Sequence, residues 1–362
     1  MYSSKDIKIY AIDNECHRIF NQAFAKDPYY LPSELIFPSS IQGFTLCDKK
    51  SKTPIASFYC FPYIAKRRWR KEGVLRITRP LILQCDTKLK KEAVNILMQE
   101  IYEIGNRAGV NAIEVELYRE INSKIFFPSA SCAINTYNTT DWIQIFESYG
   151  FVCSKVTLCF ELNLDEFNED NDQQIHIRKY IADDEEDKKM YYKLWSLSDD
   201  CPYYFGNYGF WYSNVFGWPR VWYSEIAHIL NRDDYILFAE KGKEITGFIH
   251  WWPNLYSLMI KGGRKAIFVK ENYVEELLDN IQEGKIFKII VNKKMKNDKD
   301  LIEKTLINEA VKIMKKKFKF KRCQIGNIPM ENINISSFIQ ENGGKKVHEV
   351  WLMRSKYHAR FR

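Results

Sequence analysis

The residues with the clearest capacity for chemistry lie in a dense aromatic segment at positions 203–223. Its rings belong to Tyr203, Tyr204, Phe205, Tyr208, Phe210, Trp211, Tyr212, Phe216, Trp218, Trp222 and Tyr223. They are too many and too closely spaced for one helix face, so some must line a groove or fill the seam between two domains. An aromatic wall suits an apolar or cationic ligand, or a long acyl chain. The predicted substrate-binding residues are Tyr203, Tyr204, Trp211, Tyr212 and, on the next strand pattern, Trp251; a packed domain seam remains the alternative interpretation.

One histidine is placed for acid–base chemistry beside this segment. His250 ends an apolar pattern at residues 245–252 that predicts a strand. An imidazole titrates near neutral pH and can deprotonate an amine, so His250 is the predicted catalytic residue, at the rim of a cleft beside the aromatic segment. A structural histidine is the alternative. Tyr212 and Asp199 are reserve candidates without positional support.

Composition and charge exclude other classes of protein. The nine cysteines are scattered, without a C-x-x-C pair or a histidine pair at metal-ligand spacing, so we expect free thiols in a reducing cytoplasm and no metal. No run of about eighteen apolar residues occurs, so we expect neither a membrane span nor a signal peptide.

The net charge is +8, and residues 285–322 hold fourteen Lys or Arg against four Asp or Glu. This stretch, like the basic run 66–71, fits either an anionic partner or a solvated surface.

The length of 362 residues, with 46% hydrophobic and 28% charged side chains, fits two globular domains. The acidic, amide-rich stretch 164–174 predicts a linker between an N-terminal domain of residues 1–163 and a C-terminal domain of residues 175–362. On both sides the periodicity predicts a strand, a long helix, a strand, a short helix, a glycine and a strand. The predicted strands are 73–84, 111–117 and 155–162 in the first half and 286–291, 318–325 and 347–353 in the second.

This order of elements, with three short stretches of sequence, resembles the GNAT superfamily of acyltransferases and in particular its tandem members. The stretches are DPYYLP at residues 27–32, FESYGF at residues 146–151, and residues 332–344 with their closing glycine pair. The resemblance implies an α+β fold class with two tandem GNAT-like folds. Each fold is expected to have its own bent mixed sheet, splayed beside its long helix.

The resemblance also implies a donor site. Family members bind acyl-CoA between two splayed strands, and backbone N–H groups at the start of the long helix hold the pyrophosphate. Carried onto the second half, this layout implies that acyl-CoA, for example acetyl-CoA, contacts Ile290, Val291, Lys293, Lys294 and Asn332. Asn332 is also expected to cap the short helix.

The sequence departs from the family at the pyrophosphate loop. That loop reads Arg or Gln, two residues, Gly, one residue, then Gly or Ala, whereas residues 84–89 and 292–300 contain no glycine. The second of these loops carries Asp298 and Asp300, whose carboxylates would repel a pyrophosphate. Four lysines in the same loop offset part of that charge. We therefore predict weak CoA binding.

A second departure concerns the tyrosine with which family enzymes protonate the departing thiolate. The corresponding positions are Phe146 and Ile339, and neither side chain carries a hydroxyl. A positioned acid contributes ~10²–10⁴-fold in rate. We expect both residues to be core residues of the short helices.

The leading hypothesis is an acyltransferase that moves an acyl group from a thioester, acyl-CoA, to a small-molecule or peptide amine, with the second half as the working site. The alternative is a catalytically degenerate GNAT pair that acts as a binding or scaffold protein. A third hypothesis is an acyl donor borne by a carrier protein or a tRNA, which the basic stretches would dock. No membrane partner is expected, and the sequence leaves the oligomeric state open.

Overall fold

A computed structural model describes residues 7–10, 42–48, 54–67, 70–82, 87–120, 139–168, 175–196, 233–242, 244–254 and 281–356. The strands are β1 Ile7–Tyr10, β2 Gln42–Asp48, β3 Pro54–Arg67, β4 Arg70–Ile82, β5 Ala112–Glu120, β6 Val152–Asn163, β7 His176–Lys179, β8 Ile236–Lys241, β9 Glu244–Pro253, β10 Glu283–Val291, β11 Arg322–Pro329 and β12 Lys345–Lys356. The helices are α1 Thr87–Arg107, α2 Thr139–Ser148, α3 Glu185–Ser196, α4 Lys299–Lys316 and α5 Ile333–Glu341, with a 3₁₀ turn at Lys293–Met295.

The strands form one continuous 12-stranded sheet in the order β1-β2-β3-β4-β5-β12-β6-β11-β10-β9-β8-β7. The last strand of each half is exchanged. β12, from the second half, pairs with β5, and β6, from the first half, pairs with β11. The two exchanged strands pair with each other at the centre of the sheet. The expectation of two separate sheets is therefore wrong, because the exchange joins them.

The core of the first half lies between its strands and α1. Ala93, Leu97, Ile101 and Ile104 recur at helical spacing, and all four are buried against the sheet. Gly109, with φ of 62°, follows the helix in the left-handed conformation that a glycine adopts without strain. The exchanged strand β12 contributes Met353 to this core, so the second half completes the packing of the first.

The core of the second half has the same design. The buried face of α4 presents residues four positions apart, namely Ile302, Leu306, Ala310 and Met314. The exchanged strand β6 contributes Leu158, Phe160 and Leu162 to this core. Leu164 and Phe167, inside the predicted linker, are buried in the same core, so the start of that stretch packs as part of the second half. The domain boundaries at 163 and 175 stay a prediction.

Five cysteines fall within the described ranges, and all five are free thiols. Cys47, Cys60, Cys159 and Cys323 are buried, whereas Cys153 is exposed. In the part of the chain that the structure describes, no helix is both long enough and apolar enough to cross a membrane. The same residues contain no group of three or more His, Cys, Asp or Glu side chains that could hold a metal ion.

Candidate functional site

In both halves two parallel strands pair briefly and then separate. β4 pairs with β5 only from Val74 to Ile77, and β10 pairs with β11 only from Glu283 to Ile286, although all four strands continue. Beyond the last pair the strands diverge, because no ladder hydrogen bonds hold them together. We call each of these V-shaped openings a splay. The GNAT resemblance implied that a donor would lie between two splayed strands, and this opening is where that expectation places it.

Beyond the splay of the second half lie the starts of α4 and α5, and we call the region bounded by the two strand ends and the two helix starts the donor crevice. Ile290 is buried at its strand side and Val291 is half-buried. A Cβ at Gly247 would lie 2.7 Å from the Ile290 carbonyl oxygen, so only glycine lets β9 approach β10 so closely here. Lys293 and Lys294 follow on the 3₁₀ turn and are exposed.

Local hydrogen bonds explain why the chain turns here without a glycine. The Asn292 side chain caps the 3₁₀ turn by accepting the Lys294 N–H at 3.1 Å. The Met295 N–H donates to the Asn292 carbonyl at 2.8 Å. Asparagine side chains commonly stabilise such turns. Two backbone N–H groups of this turn therefore bond within the turn, whereas a pyrophosphate-binding loop presents such groups to its ligand.

Carboxylates surround the start of α4. Asp298 forms an ion pair with Lys241, at 2.7 Å between Oδ2 and Nζ. Asp300 accepts a hydrogen bond from Asn334, the second residue of α5. Both aspartates therefore lie where the sequence predicted them, and both have partners. Their charges remain at the positive end of the helix dipole, where an anionic ligand would otherwise bind.

A third carboxyl group, Glu303, bridges the donor crevice. Its Oε2 accepts a hydrogen bond of 2.9 Å from Asn332 Nδ2, at the start of α5. Asn332 does not cap α5 with its side chain, contrary to expectation, because that side chain is turned toward α4. Burial raises the pKa of Glu303, against the opposing effects of the bond from Asn332 and the charge of Lys299. With the Asp300–Asn334 bond, this contact ties α4 to α5 across the crevice.

His250 lies on the opposite face of the second-half sheet from α4. It is fully buried rather than placed at an open rim. Its Nδ1 is 2.8 Å from the phenol oxygen of Tyr191 on α3. The ring also packs edge-on against Trp252 and Phe287, with centroids 4.9 and 6.0 Å away. A proton could move between the phenol and the imidazole, and α3 fixes the orientation of the ring. The catalytic role of His250 stays a prediction.

Trp251 points to the other face of β9, because successive strand residues alternate. It is fully buried and packs against Tyr235, Phe318 and Phe320 beside α4. Its indole Nε1 has no hydrogen-bond partner among the described residues. His250 and Trp251 therefore do not share one groove wall, because they face opposite sides of the sheet. A role for Trp251 in acceptor binding stays a prediction.

Several candidates lie outside the described residues. They are Tyr203, Tyr204, Trp211, Tyr212 and Asp199, together with residues 84–86 of the first-half loop at residues 84–89. Phe146 and Ile339, which replace the family tyrosine, are both fully buried, as expected for core residues of α2 and α5.

Sequence reasoning missed a buried polar cluster on the His250 face of the sheet. Glu283 accepts hydrogen bonds from Asn254 Nδ2 at 3.0 Å and from Gln324 Nε2 at 3.2 Å. Lys285, on the same face, is also buried. Burial raises the pKa of Glu283, although nearby Arg322 acts to lower it. In a lysine-rich segment these residues have the pattern of a solvated face, and only tertiary packing distinguishes them.

Solved structures share this fold across nearly the whole chain. A GCN5-related N-acetyltransferase from Sphaerobacter thermophilus superposes with a TM-score of 0.56, covering 98% of this chain and 97% of that one at 10% identity. A tandem GNAT protein from the clavulanic acid biosynthesis pathway, solved without AcCoA, gives 0.51 over 97% and 98% at 7% identity. A protein from Enterococcus faecalis V583 described as a probable N-acyltransferase gives 0.51 over 96% and 72% at 8% identity.

These similarities establish the fold: the chain has the α+β fold of tandem GNAT proteins, as the sequence predicted. No protein-family model matches the sequence, and no curated protein matches it either.

Proposed function

We propose that this chain is an acyltransferase that moves an acyl group from a thioester donor to an amine acceptor. The observation that supports it best is the splay, which recurs at the equivalent position of both halves within a tandem GNAT fold. A sheet without function would gain ladder hydrogen bonds by continuing the pairing of β10 with β11. Two openings at equivalent positions instead favour a bound arm of extended shape.

The donor tested first is acyl-CoA. In the second half its pantetheine arm would lie along β10 near Ile290 and Val291, and its phosphates would approach Lys293 and Lys294. The carboxylates of Asp298, Asp300 and Glu303 oppose that placement of the phosphates, so the pyrophosphate fits this crevice poorly. The proposal therefore expects weaker CoA binding than a glycine loop provides, or a thioester donor whose arm is carried by another molecule.

His250 is the proposed base for the acceptor amine, and Tyr191 is its proposed positioning residue. The 2.8 Å contact between them fixes the imidazole on the face of the sheet opposite α4. Because His250 is fully buried, the acceptor would have to exchange its proton with the imidazole through the Tyr191 hydroxyl. A base that is shielded from bulk water exchanges its proton with the acceptor and not with the solvent.

The proposal is tested by incubating the protein with acetyl-CoA and longer acyl-CoA thioesters and a panel of small amines and peptides. Thiol release and the mass of the acylated amine are the two readouts. His250→Ala is expected to lower turnover by ~10²-fold or more, and Tyr191→Phe to shift the pH–rate profile. His176→Ala, at an exposed histidine paired with Glu240, is the matched control. Acylation that is unchanged in His250→Ala would remove His250 from the mechanism.

The second candidate function is a binding or scaffold protein with a degenerate donor site. The observation that favours it is the pair of hydrogen bonds, Asn332 to Glu303 and Asn334 to Asp300, that closes the donor crevice. Under this hypothesis calorimetry shows no heat of binding with acetyl-CoA, and no amine is acylated. Acylation of any amine above the uncatalysed rate would reject it.

A further inference from the structure

A polar cavity of about 460 Å³ lies at the opposite end of the parallel strands from the splay. It opens where β10 and β11 begin, where β6 ends, and where α5 turns into β12 at Gly343. The volume falls within the range typical of small-molecule sites, ~300–1,000 Å³. Because the whole length of the four-residue parallel ladder separates it from the splay, this cavity is distinct from the donor crevice.

The cavity brings together equal numbers of acidic and basic side chains. The acidic ones are Glu161, Asp165 and Glu166, and the basic ones are Lys321, Arg322 and Lys345. Little of this charge is neutralised internally. Arg322 approaches Glu161 only to 3.8 Å, and no ion pair involving Lys321 or Lys345 occurs among the described residues.

The turn after β6 positions two of the three acidic residues, Asp165 and Glu166. Asn163 donates from Nδ2 to Glu166 Oε1 at 2.7 Å, and its own Oδ1 accepts the Asp165 N–H at 3.2 Å. These two bonds hold Asp165 and Glu166 in fixed positions while leaving the Asp165 carboxylate to solvent. On the basic side, the Lys321 backbone N–H donates to the Gln282 carbonyl at 2.9 Å, which fixes the turn that carries Lys321 and Arg322.

One lining residue of the cavity, Arg322, lies next to the buried polar cluster. Arg322 pairs in register with both Asn163 and Glu283, so these three residues share one face of the sheet. Nine-tenths of Glu283 is buried, and the charge of Arg322 acts on its carboxyl group. A buried carboxyl group therefore lies directly beside one of the basic side chains of the cavity.

We propose that this cavity binds a small zwitterion of the α-amino-acid class, a site and a ligand separate from the proposed acyl transfer. The ligand carboxylate contacts Lys321, Arg322 and Lys345. Its ammonium group contacts Asp165 and the neighbouring carboxylates. A ligand with one charge would match one set of side chains and leave the set of opposite charge uncompensated, whereas a zwitterion matches both. A cavity of this size admits a free amino acid or a dipeptide.

Calorimetry with the full chain, without any acyl donor, tests the proposal. The probes are L-alanine, L-glutamine and L-alanyl-L-alanine, each compared with its N-acetyl and its C-terminal amide form. At least one zwitterion is expected to bind, and removal of either charge is expected to weaken binding ~10-fold or more. No heat from any zwitterion, or equal affinity of the capped forms, overturns the proposal.

Single substitutions place the ligand in the cavity. Asp165→Asn and Lys345→Gln change exposed side chains and are expected to preserve the fold, which the unchanged thermal midpoint verifies. Each should weaken zwitterion binding ~10-fold, while Lys296→Gln, an exposed lysine near the donor crevice, should leave it unchanged. Binding that survives both cavity substitutions contradicts this location. Because no acyl transfer is measured, failure here is distinguishable from failure of the proposed activity.

Discussion

At equivalent positions of their sheets the two halves carry side chains of different charge. When the two parallel ladders are compared pair by pair, Arg76 of β4 occupies the position that Lys285 has on β10. Its partner on β5, Glu114, occupies the position that Gln324 has on β11. The third position lies on the exchanged strands, where Arg354 of β12 pairs with Glu114 and Glu161 of β6 pairs with Gln324. The first half thus has a cation, an anion and a cation in a row, and the second half has a cation, an amide and an anion.

In the first half the row is an internally neutralised chain. Glu114, which is almost fully buried, accepts from Arg76 at 3.0 Å and from Arg354 at 2.6 Å. Arg354 also contacts Glu72, at 2.5 Å. Burial by itself would lower the pKa of Arg354, but its bonds and charge interactions with the two glutamates outweigh that effect and raise it.

In the second half only the last member of the corresponding row, Glu161, lines the cavity proposed to bind a zwitterion. Gln324 cannot neutralise Lys285, and Glu161 meets Arg322 only loosely. Each row is completed by a strand from the other half of the chain. The comparison teaches that one fold used twice can carry an ion chain at a set of sheet positions in one copy and, in the other, a different set of side chains of which one reaches a cavity.

The largest effect is expected from breaking the ion chain of the first half. Glu114→Gln leaves two arginines facing each other without a shared carboxylate, which should cost about 4–5 kcal/mol of unfolding free energy. Chemical denaturation measures it. Glu100→Gln, which removes a more exposed pair with Arg107, is the control and should cost less than about 1 kcal/mol. Equal costs would show that the chain in the first half stabilises no more than a surface pair.

A second contrast concerns the strands next to the parallel ladders, β9 and β3. At the last position of each ladder, Trp251 of β9 pairs with Ile286, and Cys60 of β3 pairs with Ile77. Trp251→Ala empties a large buried site and should cost about 3–4 kcal/mol, while Cys60→Ala should cost about 1 kcal/mol. Chemical denaturation of each variant measures the loss of unfolding free energy relative to wild type. A cost near 1 kcal/mol for Trp251→Ala, with weaker acceptor binding, would support the substrate-binding role over the packing role.

Removing the two aspartates at the start of α4 should make the donor crevice more receptive to a pyrophosphate. Asp298→Gly with Asp300→Gly removes two carboxylates from the positive end of a helix dipole, and each is worth ~0.3–1 kcal/mol. Acetyl-CoA binding should therefore strengthen by about tenfold in calorimetry. Asp183→Gly, at an exposed acid outside the crevice, is the control. An unchanged affinity would mean that the pyrophosphate binds elsewhere.

The smallest effect is a pH dependence at Glu303. Because burial raises the folded pKa of this carboxyl, its contribution to stability is complete below the unfolded pKa and is lost as pH rises through the folded one. Glu303→Gln keeps a hydrogen-bond acceptor for Asn332 and cannot ionise. The variant should therefore gain stability relative to wild type as pH rises above about 4.3, by less than about 1.5 kcal/mol.

Thermal midpoints at several pH values measure the gain. The control is Glu185→Gln, whose side chain is 72% exposed and pairs with Lys188. A difference between variant and wild type that does not change with pH would contradict the role of burial at Glu303.

Local patterns predicted most elements, because alternation and helical spacing depend on neighbouring residues. The predicted strand 155–162 lies within β6, and the long helix predicted between the strands 286–291 and 318–325 is α4. The exchange of β6 and β12 could not be predicted, because both strands have the same apolar pattern whichever edge they join. Asp298 and Asp300 were recognisable from their position before a helix. Glu303 and Lys285 were not, because their burial depends on strands and helices distant in sequence.

The exchanged strands have a consequence for how the chain folds during synthesis. The edge of β5 receives its partner from the last strand of the described sheet, with His348 opposite Glu120 and Lys356 opposite Ala112. A nascent chain that has emerged only as far as β6 must therefore wait for residues 345–356 before that edge is covered. Such long-range closure slows folding, and an uncovered strand edge invites association with other chains. Ribosome-bound chains truncated before β12 should accordingly depend on chaperones, whereas the released full chain should not.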